Sequence, residues 1–361
     1  MTQGVHWRLA IAACLIAAAV TPAAAQTTTN QSASLLVFPK VVVNGAWETT
    51  IQLSNNANRP AYAVCYYVNG GLTNPDLPPG PTNPPVWSSV DFRLRLGRQQ
   101  PSHWVASRGR AIDETDGACG PPFESCDGTG LDPGIVPPVA APFSGELFCY
   151  EVDASGAPWS GNALSGHATL THLETGEVVK YPAVGSLGLT TNDADGTLCL
   201  GGEPGEVCPD GAEYRGCPQT WAVSHPSDDD DEASGRVRSN RLTIAPCTRD
   251  FVGQQPQNLT LQFEIINEFE QRFSASTVVS GWRDFRLTDI TPLFDYDVLG
   301  ADSVQTRVRT AASSAAGFVV VQQTELAADN PNLLWVAATV PPQLEGEARA
   351  DLIRVPEEAA R

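Results

Sequence analysis

The stretch Asn192-Asp193-Ala194-Asp195-Gly196 has residue types and spacing that could hold a hard cation. Asp193 and Asp195 alternate so that two carboxylates can face one ion, and Gly196 allows the sharp turn of a calcium loop. The match is partial, because Thr191 stands at the first ligand position and Gly202 where a bidentate Glu would close the loop. Calcium at Asp193 and Asp195 would therefore bind weakly, with a dissociation constant on the order of 10⁻⁴–10⁻³ M. Asp116, Glu124, Asp127 and Asp132 supply further carboxylates in an earlier loop, and Asp228–Asp231 with Glu232 forms an acidic run. Carboxylates in such places ordinarily make solvated turns, and the acidic run reads as a disordered loop. No cofactor other than calcium is expected.

The histidines offer less. His167 and His172 are an odd number of residues apart, which puts them on opposite faces of a strand. His103 and His225 lie close to Trp104 and Trp221 in expected turns. The chain contains no G-x-S-x-G, H-E-x-x-H, phosphate loop or dinucleotide fingerprint. No catalytic residue is assigned, and the expectation is a non-catalytic exported binding or structural module. The alternative is a secreted hydrolase or its carbohydrate-binding accessory protein. Trp87, Trp104, Trp159 and Trp221 stand at expected loop edges. There their rings could stack on sugars, although tryptophans so placed more often plug the end of a β-structure.

Cysteine chemistry is the strongest signal. Of the nine cysteines, Cys14 lies in an N-terminal export signal. The others are Cys65, Cys119, Cys126, Cys149, Cys199, Cys208, Cys217 and Cys247. An even set in an exported chain reads as disulfides. Local pairing suggests Cys119–Cys126, Cys199–Cys208, Cys217–Cys247 and Cys65–Cys149. A zinc site is disfavoured, since no cysteine pair has C-x2-C or C-x4-C spacing.

The elements that would carry these groups are strands. In Asn258–Trp282, Leu259, Leu261, Phe263 and Ile265 point one way and Thr260, Gln262 and Glu264 the other; Phe273, Ala275, Thr277 and Val279 repeat the alternation. Two runs of period two around a polar turn make a hairpin with one apolar face. Trp47–Leu53 and Val90–Leu96 alternate likewise, whereas Leu35–Val43 and Ala61–Val68 are apolar on both faces, as buried strands are. Gly145–Val152, His167–Leu173 and Val178–Val184 follow. Further strands are expected at Phe285–Ile290, Phe294–Val298, Val304–Thr310, Phe318–Thr324, Leu333–Val340 and Ala350–Val355. Helical periodicity is absent beyond short stretches.

A sheet with one apolar face needs a cover, so the expected fold is all-β, with two antiparallel immunoglobulin-like β-sandwiches joined by a disulfide-rich loop segment. The division is a signal peptide at 1–25, an N-terminal sandwich at 26–186, a Cys/Gly/Asp-rich connecting segment at 187–250 and a C-terminal sandwich at 251–361. Asp91-Phe92-Arg93-Leu94 and Asp284-Phe285-Arg286-Leu287 each follow a hairpin, which suggests duplication. Gly145–Asp153 and Asn267–Ser274 resemble segments of uncharacterised exported bacterial proteins. That resemblance implies export and a β-rich fold, and it carries no functional residue with it.

Arg8, the apolar run Leu9–Val20 and Ala23-Ala24-Ala25 have the layout of a secretory signal, which places the mature chain in the periplasm or outside the cell. No later apolar run is long enough for a membrane span. The net charge is −19, and removing the signal takes away one Arg and no acid. Such a charge disfavours nucleic acid and anionic membrane as partners and leaves an extracellular protein or a glycan. Lys40 and Lys180 are the only lysines, a bias that reads as codon usage.

Overall fold

The computed structural model describes residues 27–28, 31–74, 77, 82–111, 132–189, 195–202, 208–229, 237–311, 316–327, 334–342 and 351–356. The expected signal, Cys119, Cys126, Asp116, Glu124, Asp127, Asp193 and the end of the acidic run lie outside them. The described residues are 59% strand and 4% helix. The N-terminal strands are β1 Thr27–Thr28, β2 Leu35–Val43, β3 Trp47–Asn55, β4 Ala61–Asn69, β5 Ser88–Leu96, β6 Pro101–Val105, β7 Phe143–Val152, β8 Leu164–His172, β9 Val178–Pro182 and β10 Val184–Ser186. After them come β11 Thr197–Leu200, β12 Thr220–Pro226, β13 Val237–Pro246, β14 Arg249–Asp250, β15 Asn258–Asn267, β16 Arg272–Ser280 and β17 Arg283–Arg286. Two single-turn helices, α1 Leu287–Ile290 and α2 Tyr296–Leu299, precede β18 Ser303–Thr310, β19 Phe318–Ala327, β20 Leu334–Thr339 and β21 Asp351–Arg354.

These strands form five small sheets, ordered β1-β10-β2-β7-β4-β5, β6-β3-β8-β9, β12-β18-β15-β16, β17-β13-β19-β20 and β11-β21-β14. Pairing is antiparallel throughout except between β14 and β21. The period-two residues behave as their chemistry requires. Leu259, Leu261, Phe263 and Ile265 of β15 are buried, and the polar residues between them are only half-buried. β2 is buried along its whole length because both faces of its sheet are covered. On one face Leu36, Phe38 and Val41 meet Ile51, Leu53 and Leu170 of the β6-β3-β8-β9 sheet. On the other, Leu35, Val37, Tyr66, Phe148 and Tyr150 belong to a core that continues through Phe251 to Leu242, Phe263 and Phe318.

That continuity corrects the expected pair of immunoglobulin-like sandwiches on a loop tether. The described strands form five small sheets, and one apolar cluster runs from the N-terminal half into the C-terminal half. The described residues of the expected loop segment supply β11, β12, β13 and β14. β13 forms the centre of its sheet, between β17 and β19. Alternation identifies a half-buried strand but says nothing about which sheet receives it.

Local expectations also shift. Phe294–Val298, expected as a strand, makes a 3₁₀ turn at Pro292–Phe294 and then α2. Asp295 caps α2 by accepting from the Asp297 amide at 2.8 Å, and Gly300 ends it at φ 60°. His103 and Trp104 lie on β6, and Trp221 and His225 on β12, in place of turns. Disulfides join Cys65 to Cys149, Cys199 to Cys208 and Cys217 to Cys247. The Cys65–Cys149 bridge links residues that face each other across β4 and β7.

Candidate functional site

Lys40 interrupts the apolar run of β2, where the pairing with β7 shifts register between Phe38 and Val41. The backbone there is held from the side: Tyr181 Oη accepts from the Lys40 amide at 2.9 Å and donates to the Lys40 carbonyl. The ammonium is 5% exposed and cannot stay charged at that depth without a partner. Its partner is Asp284 on β17, both of whose carboxylate oxygens lie 3.2 Å from Nζ.

Asp284 takes more than the lysine. Arg241 Nε donates to Oδ2 at 3.0 Å and Thr243 Oγ1 donates to Oδ1 at 2.8 Å, both from β13 next door. Burial alone would raise the Asp284 pKa. The Lys40 and Arg241 charges and the donated hydrogen bonds outweigh it and hold the carboxyl at about 2. For Lys40 the balance goes the other way: burial lowers the ammonium pKa against the opposing pull of Asp284.

This ion pair lies behind a groove of about 770 Å³ at the junction of the two halves. Trp282 is buried at its base, donating from Nε1 to the Pro39 carbonyl at 2.5 Å. Gly70 packs against the Trp282 side chain, and a β-carbon there would collide with it. One wall is the chain after β4, from Asn69 to Thr73 with Leu77 and Val86. The other consists of Thr277 and Val278 of β16, Arg283 and Phe285 of β17, and Asp289 and Ile290 of α1. Val278 is 65% exposed. Arg283 is half-buried, and burial lowers its pKa despite the nearby Asp284 and Asp289 charges. No hydrogen bond or ion pair joins its guanidinium to a described residue.

The halves are clamped a short distance away. Arg249 of β14 makes a two-pronged bond to Glu146 of β7, at 2.7 and 2.6 Å, with both side chains buried. Its guanidinium lies 5.1 Å from the centre of the Phe148 ring. Phe251 stacks on Tyr66 at 4.1 Å between ring centres. The planar fork of arginine suits such a dry pairing better than an ammonium would.

The residues singled out from the sequence do not gather at this groove. Asp195 accepts from the Thr197 amide at 2.7 Å, as a turn aspartate does, and its proposed co-ligand Asp193 is outside the described residues. Asp132 is bound by Arg110 and by the Gly134 amide at 2.8 Å. Asp228 is fully buried, accepting from the Asn240 amide at 2.9 Å and its side chain at 2.6 Å, so the start of the acidic run is structural rather than solvated. Among the described residues, no three His, Cys, Asp or Glu side chains come together as a metal site. Trp87, Trp104 and Trp221 are buried, which leaves Trp159, 38% exposed, as the one of the four that can meet a sugar. His167 is exposed on β8 and His172 half-buried at its end.

Sequence reasoning missed Lys40, Arg241, Trp282, Arg283 and Asp284. Two signals pointed toward them. A lysine inside a continuous apolar run must find a carboxylate when that run is buried. The repeated Asp-Phe-Arg-Leu marks an edge strand both times, β5 and β17, with Phe92 and Phe285 buried at equivalent places.

No protein-family model matches the chain, and comparison with curated proteins finds no match. Among solved structures, the chain is similar to one described as "Crystal Structure of Thermotoga maritima 1070", over 36% of this chain and 97% of that one. The identity is 10% and the TM-score 0.26, so the likeness carries no functional argument.

Proposed function

We propose that this protein is an exported, non-catalytic binding module whose ligand sits in the groove between the two halves. The observation that carries this reading is the division of labour among its charges. Asp284 has its lone pairs committed to Lys40, Arg241 and Thr243, which suits an anchor and not a proton shuttle. Arg283 is left facing the groove with donors to offer. A cleft of this volume whose lining mixes apolar side chains such as Leu77, Val86 and Val278 with polar groups such as Arg283 and Thr277 can seat a ligand that offers both kinds of contact. The three disulfides support a non-cytoplasmic, oxidising compartment. No helix among the described residues is long and apolar enough to cross a membrane.

The test pairs a glycan and peptide array with a broad panel of hydrolase substrates, using the wild type and Arg283→Gln. The expected result is binding without turnover, weakened about tenfold in the variant by loss of one charge-assisted contact. Turnover abolished by a single side-chain change would overturn the non-catalytic reading.

A further inference from the structure

Each sheet has two edges, and among the described residues all but one of those edges are blunted. β5 carries Asp91, Arg93 and Arg95; β17 is short and carries Arg283, Asp284 and Arg286. β6 begins at Pro101, β9 ends in Lys180-Tyr181-Pro182 and β12 ends in His225-Pro226. β1 and β14 are two residues each, β11 is four, and β20 lies along β9. Charges, prolines, short length and cover are the ordinary ways of stopping a sheet from recruiting another strand.

Apart from Arg272 at its start, β16 has none of these. It pairs with β15 on one side through nine consecutive residues without a bulge, and no described strand pairs with its other side. From Phe273 to Ser280 it contains no charge and no proline. Phe273 and Ala275 turn inward against the core, while Ser274, Ser276 and Val278 face out. The strand runs into the groove at Thr277 and Val278.

We infer that the ligand is an extended peptide segment of another exported protein, added as a further strand along the open edge of β16, with an acidic side chain entering the groove to meet Arg283. This rests on the binding reading above and specifies its ligand. Main-chain hydrogen bonds along β16 supply affinity, and alternate side chains supply selectivity. Inward positions of the added strand take apolar residues beside Phe273 and Ala275. The acid supplies the hydrogen-bonded partner that the Arg283 guanidinium lacks among the described residues, where Asp284 and Asp289 are near it but not bonded to it. A second copy of β16 fits less well. In antiparallel self-pairing centred on Ser276, Arg272 of one copy meets Ser280 of the other and approaches its Arg283, setting two positive charges together.

The probes are synthetic ten-residue peptides with Val, Ile or Thr at alternate positions, Ser between them, and Asp, Glu or Asn at either end. Binding to the full chain is read by fluorescence polarisation, and amide hydrogen exchange locates it. An acidic peptide is expected to bind and to slow exchange across Phe273–Ser280. Arg283→Gln should weaken it about tenfold and leave the Asn peptide unchanged. Thr277→Lys, which guards the edge, should abolish both, with circular dichroism showing the variant folded. Binding that protects the groove residues but not β16 overturns strand addition and leaves the groove reading standing. Concentration-dependent dimers with β16 protected would assign the edge to a second copy. Failure of every peptide in the series overturns the inference.

Discussion

Buried titratable groups of opposite tendency set how the protein responds to acid. His225 is buried on β12, with Nδ1 donating to the Pro226 carbonyl at 2.7 Å and Nε2 3.0 Å from Thr306 Oγ1. Burial pushes its pKa down to about 4, partly resisted by the bond to Pro226. A depressed pKa contributes stability that is complete above the unfolded value of 6.5 and lost as pH falls through the folded value. The loss is on the order of 3 kcal/mol. Asp351 does the reverse. Burial raises its carboxyl to about 6 despite bonds from Thr248 and the Gly317 amide. Its contribution is complete below the ordinary carboxylate range and lost as pH rises through about 6. Between the two folded values the effects oppose each other. Urea unfolding of the wild type and His225→Gln across that range isolates the histidine: the stability advantage of the wild type should shrink as pH falls from 6.5 toward 4. A pH-independent difference would contradict the assignment.

At the scale of elements, the covalent links differ in what they restrain. Cys65 and Cys149 are 84 residues apart in sequence and face each other on neighbouring buried strands, whereas Cys199 and Cys208 are nine apart. Closing a long loop removes more freedom from the unfolded chain than closing a short one. Cys65→Ala/Cys149→Ala should therefore cost about 2–5 kcal/mol, and Cys199→Ala/Cys208→Ala less, in denaturant melts of the two double variants. Equal losses would show that native-state fit and not loop length governs. Elements like these were the most readable from sequence, because their signals are local. β2, β3, β15 and β16 follow from alternation or from a continuous apolar run. The residues of α2 misled because Phe294, Tyr296 and Val298 also alternate; the Asp295 cap and Gly300 decide in favour of a turn. β12 and β13 were hidden in a segment whose cysteines and glycines read as loop, although Ile244 and Val223 are buried.

Across the whole molecule, stability is shared. The apolar cluster holding Leu35 and Tyr150 also holds Phe263 and Phe318, and the Glu146–Arg249 pair locks the same joint. Calorimetry should show a single unfolding transition, with van't Hoff and calorimetric enthalpies in agreement. Two separated transitions would mean that the halves melt independently. This level was the least readable in the sequence. Which sheet face meets which depends on contacts such as Phe251 on Tyr66, between residues far apart in the chain, and periodicity carries no information about them. The groove shares that origin, since Gly70 and Trp282 meet only once both halves are in place.

The position of β21 has a consequence for how the protein comes into being. A chain that crosses a membrane or leaves a ribosome does so from its N-terminus, and its strands pair in the order in which they arrive. β2, β4, β5 and β7 can assemble early, yet the face of their sheet that displays Tyr66, Phe148 and Tyr150 stays bare until Phe251 emerges. The β11-β21-β14 sheet waits longer still, for Asp351–Arg354 to reach strands made long before. Until Phe251 emerges the nascent molecule carries an aromatic face without its cover, and the sheet that β21 completes closes only after that face is shielded.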